Sequence, residues 1–122
     1  MVDETALTVS VLAARIPGAT VTTEFDADSL SAMGSGRRVI VSKVADESDD
    51  FLQVPTMELL CCAETDALAG ALSRSCVEAL QDAAADHPLL SAARVADMGR
   101  DSFTTSRGGR HRVSVRLYIN ID

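Results

Sequence analysis

Thr56-Met57-Glu58-Leu59-Leu60-Cys61-Cys62-Ala63-Glu64, running directly into Thr65-Asp66-Ala67-Leu68-Ala69-Gly70-Ala71-Leu72, is the stretch whose reading decides the fold. Side chains alternate along an extended chain. Met57, Leu59, Cys61 and Ala63 therefore share a wholly apolar face, and Thr56, Glu58, Leu60, Cys62 and Glu64 share a mixed one. From Thr65 the period becomes that of a helix. Leu68, Leu72, Cys76 and Leu80 follow at steps of four, with Ala71, Ser75 and Ala79 beside them and Arg74, Glu78 and Asp82 turned away. That spacing predicts one buried stripe. Thr65 is placed to accept from a free amide of the first turn, and Asp66 to complement the positive end of the helix dipole. The helix is expected to close near Gln81, and Asp86-His87-Pro88 ends any helical pattern. Gly70 costs roughly 1 kcal/mol relative to alanine inside a helix, so its presence predicts a close contact with the sheet.

Upstream of this join, residues 3–15 read as a first helix with Leu7, Val11 and Ala14 on one face and Leu12 nearby, stopped by Pro17-Gly18. Residues 19–25 alternate as a strand through Val21, Thr23 and Phe25, and residues 26–36 form a loop with one helical turn at 29–33. Residues 37–44 make a second strand, apolar enough at Arg38-Val39-Ile40-Val41 for a central position. A solvated acidic turn follows at 46–50. Pro55 cannot donate a ladder hydrogen bond, so residues 51–54 are either an edge extension or set off from the main strand by a bulge.

Downstream, Leu89 and Leu90 are placed to close the core, and residues 93–107 are extended but irregular. Residues 110–121 give the cleanest alternation: Val113, Val115, Leu117, Ile119 and Ile121 on one side, Arg112, Ser114, Arg116, Tyr118 and Asn120 on the other. Gly108-Gly109 suits a two-residue hairpin turn, because both positions tolerate positive φ. The fold class expected is α+β: a mostly antiparallel sheet of about five strands with a long helix packed on one face, in the order α-β-β-β-α-β-β. Residues 1–122 form a single domain.

A chain of 122 residues with 47% hydrophobic and 24% charged content is globular rather than disordered. Aromatics at 3%, with no tryptophan, weaken sugar binding and base stacking as functions. The net charge of -7 is unevenly placed: residues 1–66 hold twelve acids and four bases, residues 67–122 six acids and seven bases. An acidic half disfavours general nucleic-acid binding. Three cysteines, two of them adjacent, do not make a disulfide framework, which points to a reducing cytoplasmic setting. No signal peptide pattern and no apolar run of membrane-spanning length is present.

No residue cluster announces chemistry. The acidic turn lacks the alternating oxygen ligands and central glycine of a calcium loop, and Asp26 and Asp28 suit a cap or a loop. His87 and His111 have no metal-ligand spacing with a cysteine. Cys61, Cys62 and Cys76 fall on apolar faces, where packing is the expected role rather than nucleophilic attack. Gly34-Ser35-Gly36-Arg37-Arg38 lacks the lysine and following helix of a phosphate loop. No catalytic, cofactor or metal residue is assigned. The charged groups that stand out are the acids Asp46, Glu47, Asp49 and Asp50 and the bases Arg100, Arg107, Arg110, Arg112 and Arg116 on the last hairpin. The arginines have three available roles: contacting phosphates, solubilising an edge strand, or pairing with acids of a neighbouring subunit. An acidic and a basic patch on one subunit suit a head-to-tail ring.

The first helix ending in Arg15-Ile16-Pro17-Gly18, the strand at 21–25, Arg38-Val39-Ile40-Val41, the join Ala63-Glu64-Thr65-Asp66-Ala67-Leu68-Ala69 and the closing Arg112-Val113-Ser114-Val115-Arg116-Leu117 together resemble the tail terminators of long-tailed bacteriophages. The resemblance implies a structural virion protein, not an enzyme and without a cofactor. Six copies would form a ring that caps the head-proximal end of the tail tube, stops tube polymerisation and offers a surface for head attachment. Its partners would be itself, the major tail tube protein and a head-completion or connector protein. DNA would pass through the lumen unbound, no membrane would be involved, and assembly would take place in the host cytoplasm. Asp46, Glu47, Asp49 and Asp50 would then face the lumen or an adjoining subunit. The alternatives are another ring or adaptor of the head-tail junction, and a small cytoplasmic enzyme or ligand-binding domain using the acids and Cys61 or Cys62.

Overall fold

The computed structural model describes residues 2–23, 36–100 and 109–120. In chain order the elements are α1 (Glu4–Arg15), β1 (Ala19–Thr22), β2 (Arg37–Asp46), β3 (Leu52–Gln53), β4 (Pro55–Ala63), α2 (Asp66–Asp86), β5 (Leu90–Arg100) and β6 (Gly109–Asn120). This is the expected α+β order, with the two-residue β3 set off from β4. Six strands form one mixed sheet: β1 runs parallel to β2, and the pairs β2–β4, β4–β6, β3–β6 and β5–β6 are antiparallel. β3 meets β6 in the same register as β4 does, Gln53 opposite Ile119 and Thr56 opposite Arg116. The two are one strand interrupted just before Pro55, whose missing N–H forbids continuous pairing. The bulge lies instead in β2, between Lys43 and Ala45.

Both helices cover one face of the sheet. Met57, Leu59 and Cys61 of β4, Val39 and Val41 of β2, and Val113, Val115, Leu117 and Ile119 of β6 meet Leu7, Val11 and Leu12 of α1 and Leu72, Cys76 and Leu80 of α2. Strand alternation placed those of β4 and β6, while β2 was expected only to be apolar enough for a central position. The helical stripes differ from expectation. Leu68 is 46% exposed, and the buried face of α2 runs through Ala69, Leu72, Ser73, Cys76, Leu80 and Ala83. Steps of four advance the face by about 40° each turn, so a line through 68, 72, 76 and 80 drifts off the contact at its start. α2 also continues to Asp86 rather than Gln81. In α1, Ala14 is exposed and Thr8 takes the buried place, its hydroxyl donating to Glu4 O at 2.8 Å.

Local chemistry fixes the ends. Thr65 Oγ1 accepts from Leu68 N at 3.1 Å and Asp3 Oδ1 from Ala6 N at 3.0 Å, each capping its helix. Gln53, 1% exposed, ties the chain start to the sheet: Val2 N donates to its Oε1 at 2.8 Å, and its Nε2 donates to Val2 O at 3.0 Å.

The two-residue turn expected at Gly108-Gly109 is not the arrangement found. Gly109 is a strand residue opposite Ala63, and Gly108 lies outside the described residues, as do the turn at 29–33, Phe25 and Ile121. Glycine at 109 serves close approach: a Cβ there would collide with Asp66 Cα and lie 2.6 Å from Thr65 O. The close contact predicted at Gly70 is with His111, whose Cε1 would stand 3.2 Å from a Cβ. Gly109→Ala must push backbone against backbone, and the expected loss is about 1–3 kcal/mol, read as a lower midpoint in thermal or urea unfolding. An unchanged midpoint would show that the join can relax.

Candidate interaction surface

The acidic turn is built by its own acids. Glu47 N donates to Val54 O and Asp49 N to Leu52 O, both at 2.9 Å, closing residues 47–51 into a tight connection. Asp46 Oδ1 accepts from the Ser48 hydroxyl and from Ser48 N at 2.9 Å, and its Oδ2 lies 3.0 Å from Lys43 Nζ. Hydrogen bonds from the Ser48 side chain and amide, then Lys43, hold the Asp46 carboxyl down at about 2. The Phe51 and Leu52 amides, at 2.7 and 2.8 Å from Asp49 Oδ1, lower Asp49 as well. Two of the four acids thus shape the turn. Glu47 and Asp50 are left on its outside, with Glu47 Oε1 3.5 Å from Arg116 Nη2. Phe51 stands at the tip, 83% exposed. Sequence reading gave Phe51 no role, although a single phenyl group beside three acids in an aromatic-poor chain was visible.

Arg110, Arg112 and Arg116 alternate along β6 and face away from the helices. Arg110 is nearly buried opposite Cys62, and Arg112 Nη1 lies 3.0 Å from Glu58 Oε1. Arg100 is in β5 opposite His111, and Arg107 lies outside the described residues. Strand pairing adds two bases that the linear sequence does not group with these. Arg38 sits opposite Cys62 from β2, and Arg94 sits opposite Arg116 from β5. The same face carries the small apolar cluster of Ile40, Leu60 and Cys62. Beside Arg94 and Arg116, the bulge between Val95 and Asp97 opens a notch of about 290 Å³ walled by Val95, Ala96 and Tyr118. A second cleft, about 540 Å³, lies where Arg15, Gly18 and Arg37 face Glu78 and Asp82, its rim held by Arg15 Nη2 at 2.7 Å from Asp86 Oδ1.

Among the described residues the cysteines and histidines are not arranged as a nucleophile and its base. Cys61, Cys62 and Cys76 are buried, and Cys61 Sγ lies 4.0 Å from Cys76 Sγ. That contact and burial push the Cys61 thiol well up, away from thiolate. His111 is opposite Cys61 in register, but its Nε2 lies 3.0 Å from Asp66 Oδ1. His87 Nδ1 accepts from Leu89 N at 3.2 Å beyond the end of α2. Among the described residues no group of three or more His, Cys, Asp or Glu could hold a metal, and no helix is long and apolar enough to cross a membrane.

The fold is shared with a chain of the solved virion of a native gene transfer agent (GTA) particle. The two superimpose with a TM-score of 0.58 at 16% identity, over 94% of this chain and 85% of that one. No family model matches the chain, and no curated protein matches it.

The turn has a pH signature. Because folding lowers the Asp46 carboxyl from 3.8 to about 2, its contribution is complete above the ordinary value and is lost as pH falls toward the lower one. Carboxyl NMR should show a midpoint for Asp46 near the lower value; a midpoint near the ordinary one would mean that the Ser48 and Lys43 contacts do not persist in solution.

Proposed function

We propose that the chain is a non-enzymatic structural protein of a phage-like virion, and within that class a tail terminator. The observation that carries the reading is a fold shared along nearly the whole chain with a component of a gene transfer agent virion. The sequence resemblance centred on the β4–α2 join supports the narrower role. The rival enzyme reading rested on the acids and on Cys61 or Cys62, and among the described residues both cysteines are buried while Asp46 and Asp49 build the turn.

The mechanism is occupancy. A homo-hexameric ring seats on the last ring of the major tail tube protein and lacks the tube's own polymerising surface on its far side. Tube growth stops there, and the far side receives the head-completion or connector protein. Acids on one surface of the subunit and arginines on another suit joints in which unlike patches meet, the arrangement that closes into a ring. Glu47 and Asp50, turned outward, face the lumen or the adjoining subunit. A lumen without net positive charge lets DNA slide without being held.

The test is electron microscopy of the purified protein added to polymerising tail-tube protein. Six-fold caps at one end of tubes that stop lengthening are the expected result. Tubes that grow on uncapped would contradict the terminator role, and binding to the portal-side adaptor in their place would move the chain to another position in the junction.

A further inference from the structure

Arg94 and Arg116 are direct cross-strand partners, and like charges so placed destabilise a sheet unless an anion comes between them. Inside the chain the neutralisation is incomplete. Arg116 has one long contact, to Glu47 at 3.5 Å, and its buried Nε has no hydrogen-bond partner; Arg94 has no acidic partner among the described residues. Both arginines line the notch of about 290 Å³, together with Tyr118, Ala96 and the 42% exposed Val95. The site asks for a ligand that is part apolar and part anionic.

The hairpin tip has that composition. Phe51 projects beside Glu47, Asp49 and Asp50, and its backbone is fixed by the Asp49 carboxylate and by the pairing of β3 with β6. A large aromatic held rigid and almost fully exposed is the form that interface anchors take. Its own chain does not use it, since Phe51 is absent from the walls of the notch. We propose that Phe51 of one copy inserts into the Arg94–Arg116 notch of a second copy, with Glu47 and Asp50 of the incoming tip pairing with the two arginines. The phenyl ring meets Val95 and Tyr118 on one side and cationic planes on the other, a favourable setting for an aromatic face. A notch sized for one side chain, on a chain of net charge -7, suits a carboxylate-flanked ring better than a duplex backbone.

The contact deepens the ring reading and rests on it for the number of copies joined. The test is photocrosslinking of the chain carrying p-benzoylphenylalanine in place of Phe51, which keeps an aromatic ring at the tip, with the product mapped by mass spectrometry to Val95, Ala96 or Tyr118 of a second copy. Inter-chain product mapped to the notch is expected, together with loss of self-association in Arg94→Glu and its recovery in Arg94→Glu/Asp50→Arg. A ladder reaching six copies supports the contact and the ring. Product that ends at two supports the contact and contradicts the ring. Absence of inter-chain product overturns the contact and, if rings are visible in the same sample, leaves the terminator reading intact. Arg94→Glu that weakens duplex DNA retention but not self-association overturns it also.

Discussion

The backbone of Thr65 and Asp66 rests on Gly109, and that approach sets how β4, α2 and β6 meet. β4 ends at Ala63, directly opposite Gly109 at the start of β6, so the chain must turn into α2 across a strand that offers no side chain. Thr65 caps the helix at the turn, and Asp66 reaches His111 on β6, which in turn lies over Gly70. Strand, cap, helix and closing strand are thereby locked at one corner. α2 is then obliged to run down the face carrying Met57, Leu59 and Cys61, and α1 fills the remaining half of that face with Leu7, Val11 and Leu12.

With both helices on one side, the opposite face is where β2, β4, β5 and β6 present their alternate residues. Burial cannot satisfy this second face as it satisfies the first. Its arginines are arranged in rows by strand pairing, and two acids, Glu58 and Glu47, answer part of their charge. Among the described residues most other acids sit on the helices and on the β2–β3 connection, while Asp97 of β5, opposite Ser114, lies on the arginine face itself. Arginines gathered on this face, with acids concentrated on the β2–β3 connection, favour association of unlike surfaces.

What the sequence discloses and what it withholds divide along physical lines. Period-two alternation in β4 and β6 named the core residues of the sheet, because burial on one face is a local constraint. The Thr65-Asp66 start of α2 was legible for the same reason, since capping is satisfied within four residues. The exposure of Leu68 and Ala14 depends on how each helix is rotated against the sheet, which short spacing does not encode. Arg94 joins Arg116, and Arg38 joins the same face, only through pairing between segments far apart in the chain. The acidic run was recognised as a turn, yet which of its acids would build it depended on the Ser48 hydroxyl and on the amides after Asp49. Gly109 was read for conformational freedom, whereas its role is to make room.

The central claim is a position in a particle, and gold labelling of an affinity tag on this chain in intact phage-like particles tests it most directly. The account predicts gold at the head-proximal end of the tail, at one site per particle. Label along the tail shaft, at the distal tip or absent from purified particles would contradict it.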